Sequence, residues 1–376
     1  MKHLNVRLIA LGAFCLVLTL SACSKKSKRD PRVVLDKEYK EEILKARDLL
    51  RVNVVSSFTG FSACASIDDK VVWSEGIGYS NTELSVLVKP EHKFRIGASS
   101  RLFSSLILLR LHERGVIDMN KPYNEYVADN PNWNFTPLQL ATNSAGLPDV
   151  TEQLYREATV NNYRTTSAVL AAHKSDELLF SPDEYFAESA LGTLVLTDLL
   201  EKVSGKKYKD LLKEEVLIPF GLTDTDVDFS GYVIKKRASQ YSRNSIAQIR
   251  LAPEGNISAV APALGVLSSA DDLNRLGRAF LKKEVLTEES YKQLLSNHVI
   301  PGKGDSPWGM GIEVMEDVQG RKLLLLRGQI EGGASMLLIS PELGLVVSFC
   351  GNLSEDYTTY PFMEVVALFM KRAEEK

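Results

Sequence analysis

The chain has 376 residues, 44% hydrophobic and 25% charged. That is enough apolar material for one large core or two interleaved ones, and too mixed for a disordered or multi-span membrane chain. A formal net charge of −3, more negative still once Lys2 and Arg7 are removed with the first 22 residues, offers no electrostatic footprint for nucleic acid.

The first element is a secretion signal, with Lys2 and Arg7 preceding an apolar run over residues 8–20 that is too short for a permanent membrane span. It ends in Leu20-Ser21-Ala22-Cys23, which resembles the bacterial lipobox, where small residues admit the signal peptidase and the cysteine thiol receives diacylglycerol. Residues 1–22 are therefore expected to leave, and Cys23 to carry the acyl chains that hold the protein to a membrane. Residues 23–35, with Lys25, Lys26, Lys28 and Arg29, form a polar tether. Ser24 rather than Asp after the cysteine implies the outer membrane, with the protein facing the periplasm.

Of the four cysteines, Cys15 lies in the signal and Cys23 is lipidated, so Cys64 and Cys350 are left in the folded part and no disulfide framework is implied. The five histidines, His3, His92, His112, His173 and His298, show no ligand spacing, and Cys-x-x-Cys does not occur. Neither a metal site nor a cofactor is expected.

Further along, residues 36–51 read as a helix with Ile43, Leu44, Leu49 and Leu50 among charges. Strands at 61–67 and 71–76 follow, joined by Asp68-Asp69-Lys70, which is hairpin chemistry. Apolar density over 102–114 predicts a buried helix ended by Gly115. Residues 116–250 are loop-rich and helical, with an amphipathic helix over 191–203 ended by Gly205. Ser268-Ser269-Ala270-Asp271-Asp272 starts a helix that runs to about Leu281. Strands return at 323–326, 334–340 and 346–350, and a helix over 361–372 closes the chain. Strands at both ends with helices between them predict an α/β (α+β) architecture, in which 36–115 and 255–376 form one sheet domain and 116–254 a helical lobe. A cleft belongs where the two meet.

Several segments in order resemble the serine β-lactamase and penicillin-binding-protein superfamily. They are Phe94-Arg95-Ile96-Gly97, Glu113-Arg114-Gly115-Val116-Ile117-Asp118, Thr142-Asn143-Ser144-Ala145-Gly146-Leu147-Pro148, Glu201-Lys202-Val203-Ser204-Gly205, Pro219-Phe220-Gly221-Leu222-Thr223-Asp224-Thr225, Gly265-Val266-Leu267-Ser268-Ser269-Ala270-Asp271-Asp272-Leu273 and Trp308-Gly309-Met310-Gly311. The likeness is to the class C-like branch of esterases, D,D-peptidases and LACTB-type proteins, and it runs over roughly residues 55–355. It implies an antiparallel five-stranded sheet flanked by the terminal helices. It also implies that the first strand pairs with the last, which would bring Cys64 and Cys350 close together.

Catalysis in that superfamily depends on Ser-x-x-Lys at the start of the buried helix, the lysine helping to remove the serine proton. Here those positions read Ala98-Ser99-Ser100-Arg101. Alanine has no nucleophile, and a guanidinium stays protonated in proteins. Shifting the frame pairs Ser99 with Leu102 and Ser100 with Phe103, so both serines are expected to pack or cap. The second motif, Tyr-x-Asn, falls at Glu188-Ser189-Ala190, and the third, a cation followed by a small residue and Gly, falls at Arg327-Gly328-Gln329. Three motifs degraded together, at Ala98, Arg101, Glu188, Ala190, Arg327 and Gln329, predict a pseudoenzyme whose cleft binds a peptidoglycan peptide, a carboxylate or a partner protein. Arg101, Glu188, Arg327 and Ser100 are the candidate ligand-binding residues. The alternatives are an active serine hydrolase with a non-standard nucleophile and a purely structural envelope protein. A charge brought into a cleft must be matched, so Arg101 and Glu188 are expected to pair, with Arg327 within reach of the same carboxylate or facing the cleft mouth.

Overall fold

The computed structural model describes residues 30–375 apart from 31, 58, 128–132, 245–247, 254, 301, 303 and 355–360. The expected signal, Cys23 and most of the tether lie outside the described residues. The frame is a mixed α/β body built on an antiparallel sheet. In chain order its strands are β1 (Val34–Leu35), β2 (Gly60–Ile67), β3 (Lys70–Asn81), β4 (Val86–Leu87), then, after a small separate sheet of β5 (Phe94–Arg95), β6 (Asp226–Val227) and β7 (Val266–Ser268), β8 (Glu313–Glu316), β9 (Lys322–Ile330), β10 (Gly333–Ser340) and β11 (Leu345–Gly351). The order across the large sheet is β1-β3-β2-β11-β10-β9-β8, with β4 also on β3, eight strands in all. Its five long strands are the sheet that the sequence implies, and β1, β4 and β8 are short additions at the two edges.

Alternation along the strands decides which layer covers each face. Leu323, Leu325, Met336, Leu338, Val347 and Phe349 pack with the terminal helices α1 (Lys40–Ser57) and α6 (Phe362–Glu374), while Leu324, Leu326, Leu337, Ile339, Val346 and Cys350 join the core of the lobe. On the first side Trp73 stacks on Phe369 at 5.7 Å and Phe349 on Phe362 at 4.4 Å, which fixes the last helix to the sheet. On the second side lies α5 (Ala270–Lys282), where a Cβ on Gly277 would come within 2.6 Å of Val346. The helix is capped by Ser269, and the buried Asp272 carboxylate accepts from the Asp224 amide and the Thr225 hydroxyl. Two of the family-like segments are thus a single hydrogen-bonded joint between helix and lobe. The segment beginning Phe94 has a similar task, because the buried Arg95 donates to the buried Asp228 at 2.7 Å.

Strand β2 pairs with β11, setting Cys64 opposite Ser348 and Cys350 opposite Ser62. The cysteines are diagonal neighbours on one face, both buried and free. Burial pushes both thiols well up, which disfavours the reactive thiolate. A maleimide should label neither in the native protein and both after unfolding, as read by intact mass.

The buried helix α2 (Arg101–Glu113) is entered through a tight turn at Gly97–Ser100 that lies hard against β9. A Cβ on Gly328 would sit 1.8 Å from the Ile96 carbonyl oxygen and 2.5 Å from the Ser99 nitrogen. One on Gly97, where φ is +56°, would strike the Gln329 backbone. Gly328→Ala should therefore destabilise the fold by about 1–3 kcal/mol, the usual cost of overpacking, seen as a lower denaturant midpoint.

Candidate functional site

The cleft lies where the Gly97–Ser100 turn, β9 and the lobe meet. Ala98 is partly exposed on its wall and brings no reactive atom. Ser99 and Ser100 are fully buried and occupied: the Ser99 hydroxyl accepts from Ser335 at 2.9 Å, and that of Ser100 accepts from the Val266 amide at 3.1 Å. Both tie the turn to its neighbours, and Ser100, a candidate ligand-binding residue by sequence, does not face the cleft cavity.

Arg101 and Glu188 meet as expected. The Arg101 Nη1 donates to Glu188 Oε2 at 2.9 Å, and its Nη2 donates to Thr151 Oγ1 at 2.8 Å with Asp149 at 3.6 Å. Thr151 in turn donates to Asp149 at 2.6 Å, and Asp149 accepts from the Ala190 amide at 3.1 Å. Thr151 opens α3 (Thr151–Asn161), a helix that the sequence pattern does not reveal. Residues 188–190 thus make structural contacts. Glu188 is an ion-pair partner, Ser189 caps α4 (Ala190–Ser204) while donating to the Pro148 carbonyl, and Ala190 is the first residue of that helix. The segment beginning Thr142 holds this loop in place: the Asn143 carbonyl accepts from the Ala187 amide, and the Gly146 carbonyl from that of Leu179.

Arg327 departs from one of the two expectations. It lines the cleft and keeps 44% of its side-chain surface, yet it forks onto Glu313 at 2.7–3.0 Å rather than onto Glu188. The cause is strand register: β8 pairs Glu313 with Leu325, two residues from Arg327 on the same face of β9, so a carboxylate already stands beside the guanidinium. Asp149, Thr151 and Glu313 are the site residues missed by sequence reasoning. Only an opposite charge within reach could have signalled Glu313, and the sequence does not show that reach. Gln329 lies outside this cavity and instead lines a second groove of about 440 Å³ with Asp149, Thr151, Tyr155 and Glu331.

What remains of the cleft is a cavity of about 30 Å³ lined by residues including Ala98, Arg101, Ser105, Asn143, Glu188 and Arg327. That is room for about one water molecule. The Arg101–Glu188 pair forms part of the wall of this cavity.

The beta-lactamase family description matches residues 48–363, most of the chain. The protein belongs to the beta-lactamase family. It is 24% identical over 299 residues to Protein flp of Staphylococcus aureus strain MW2, covering 77% of this chain and 58% of that protein. It is 23% identical to the serine beta-lactamase-like protein LACTB, mitochondrial, of Mus musculus, covering 69% and 61%. The chain thus spans about three fifths of the length of these relatives. Among solved structures it is similar to the octameric penicillin-binding protein homologue from Pyrococcus abyssi, with a TM-score of 0.77 at 22% identity over 88% of this chain and 77% of that one. It is also similar to the D-amino acid amidase of Ochrobactrum anthropi SV3, with a TM-score of 0.76 at 18% identity over 89% and 99%. At such identities these structures establish the shared fold.

Burial raises the Glu188 carboxyl above the usual carboxylate range, and the attraction of Arg101 only partly opposes it, with Asp149 and Glu313 adding repulsion. A raised folded value favours the protonated form. Its contribution to stability is therefore full below the ordinary glutamate range and is lost as pH rises through the raised value. Between about pH 4 and about pH 7, the wild type should lose stability relative to Glu188→Gln in paired denaturant titrations. Because 45% of the Glu188 side chain is open, Glu188→Ala should cost only ~0–1 kcal/mol at neutral pH.

Proposed function

We propose that the protein is a catalytically silent beta-lactamase-family domain, exported and lipid-anchored through Cys23 at the periplasmic side of the outer membrane, with a binding or regulatory role at the cell wall. The observation that carries this reading is the Arg101–Glu188 pair beside Ala98. The nucleophile is missing, the general-base position holds a group that cannot accept a proton, and the approach path is filled. Neither neighbouring serine is available, since both hydroxyls are buried in other bonds.

The same geometry narrows what could be bound. Arg101 and Arg327 already hold carboxylates, so a ligand carboxylate must displace Glu188 or Glu313. The roomier groove along Gln329, Ile330 and Glu331, where β8 no longer pairs with β9, is better suited to a wall peptide or an extended partner segment. Of the proteins that share the fold, one is named for acting on D-amino acid amides, and D-configured residues are a feature of wall peptides.

Labelled penicillin and a fluorophosphonate should leave no covalent adduct on a denaturing gel. An adduct that survives denaturation would establish an active hydrolase instead. Ala98→Ser alone should not restore turnover of nitrocefin or a p-nitrophenyl ester, because Arg101 remains paired and Glu188 does not replace the phenol.

A further inference from the structure

An exposed apolar surface outside the cleft lies where the N-terminal tether joins the domain. Leu84, Val86 and Leu87, on the hairpin between β3 and β4, are 74%, 41% and 62% exposed. Tyr232 and Val233, on a loop of the lobe, are 71% and 99% exposed. The two segments are tied together. The Lys93 amide donates to the Lys236 carbonyl at 2.8 Å, the Ala238 amide donates to the Lys93 carbonyl at 3.0 Å, and the Asn81 side chain donates to Ser239 at 2.8 Å.

The chain enters between them. Val34 pairs with Ser74 and Leu87 with Tyr79 on the same strand β3, so the backbone leading away from Val34 toward the N-terminus runs toward β4. Lys89 reaches Asp30 at 3.7 Å on the hairpin side. On the lobe side Arg32 and Lys236 share the Asp224 carboxylate at 2.5 Å and 2.8 Å. The charges are layered. Asp224 and Asp228 are almost fully buried, whereas Arg32, Lys236 and Arg237, which pair with them, keep 31–41% of their side-chain surface. Lys235 is exposed as well, and Glu83 is an exposed acid on the hairpin. The outer layer is therefore mostly apolar tips among cations.

We propose that this face rests on the phospholipid surface that anchors Cys23, with Leu84, Leu87 and Val233 entering the headgroup region and Lys235, Lys236 and Lys89 meeting lipid phosphates. The proposal rests on the lipid-anchor reading above. Tether length selects the occupant: Cys23 is seven residues from Asp30, a reach of about 25 Å when fully extended. A folded body of this chain length is about 50 Å across, so only the face around the exit point stays within reach of the lipid. Scattered single apolar residues are ordinary, but five on two joined segments beside a membrane tether match the pattern of interfacial binding.

The test uses the full acylated protein purified from membranes and reconstituted into vesicles of phosphatidylethanolamine with a minority of phosphatidylglycerol. Leu87→Cys, Val233→Cys and Val318→Cys are each labelled with a fluorophore, Cys64 and Cys350 being buried. Val318, 97% exposed between β8 and β9, marks the opposite edge of the sheet. Lipid-borne nitroxides should quench the labels at 87 and 233 roughly three-fold or more over the label at 318. Equal quenching at all three positions, with acyl mass present on the Cys23 peptide, overturns the orientation and leaves the anchor standing. Absence of acyl mass overturns the anchor and the proposal with it.

Discussion

The site depends on how closely the backbone of β9 approaches the turn that starts the central helix. At Gly328 and Gly97 the two backbone segments meet at distances no side chain would permit, so the turn, the buried helix behind it and strand β9 in front form one close-packed seam. Ser99 and Ser100 reinforce it from behind through Ser335 and Val266. The sheet, the α2 helix and the lobe all take their relative positions from this seam.

Ion pairs line the cleft beside that seam. A guanidinium in a crowded cleft needs partners, and Arg101 finds them on three lobe residues, Asp149, Thr151 and Glu188. The network spans the cleft from the helix start to the lobe. Glu188 bears the strain of this arrangement, being less buried than Arg101 yet held above its ordinary pKa by its surroundings. Arg327 forks onto Glu313 of the neighbouring strand. The two cations line one cavity but hold different carboxylates, and Arg327 and Glu313 both still act electrostatically on Glu188.

The features outside the cleft follow a different logic. Conserving the fold requires the α5 joint, the Arg95–Asp228 pair and the aromatic stacks beneath the last helix, all of which are buried. The hairpin at Leu84 and the loop at Val233 serve none of these. They protrude beside the segment around Asp30 and Arg32, and the proposed membrane contact would give those exposed side chains a physical reason.

The sequence by itself determined the frame. Strand-like apolar runs at both ends, the buried helix before Gly115, the Gly205 stop and the ordered family-like segments all reflect local rules of burial, capping and turn chemistry, which operate within a few residues. That Ala98 carries no nucleophilic side chain was equally legible, because side-chain identity alone decides it. The Arg101–Glu188 pairing could be inferred from charge balance once both motifs were placed. What only the tertiary structure decided were contacts between residues distant in the chain: Thr151 and Asp149 joining Arg101, Glu313 claiming Arg327, Gln329 facing another groove, and Asp30 meeting Lys89. Those depend on strand register and on which loop lies across which, and a one-dimensional pattern of polarity carries neither.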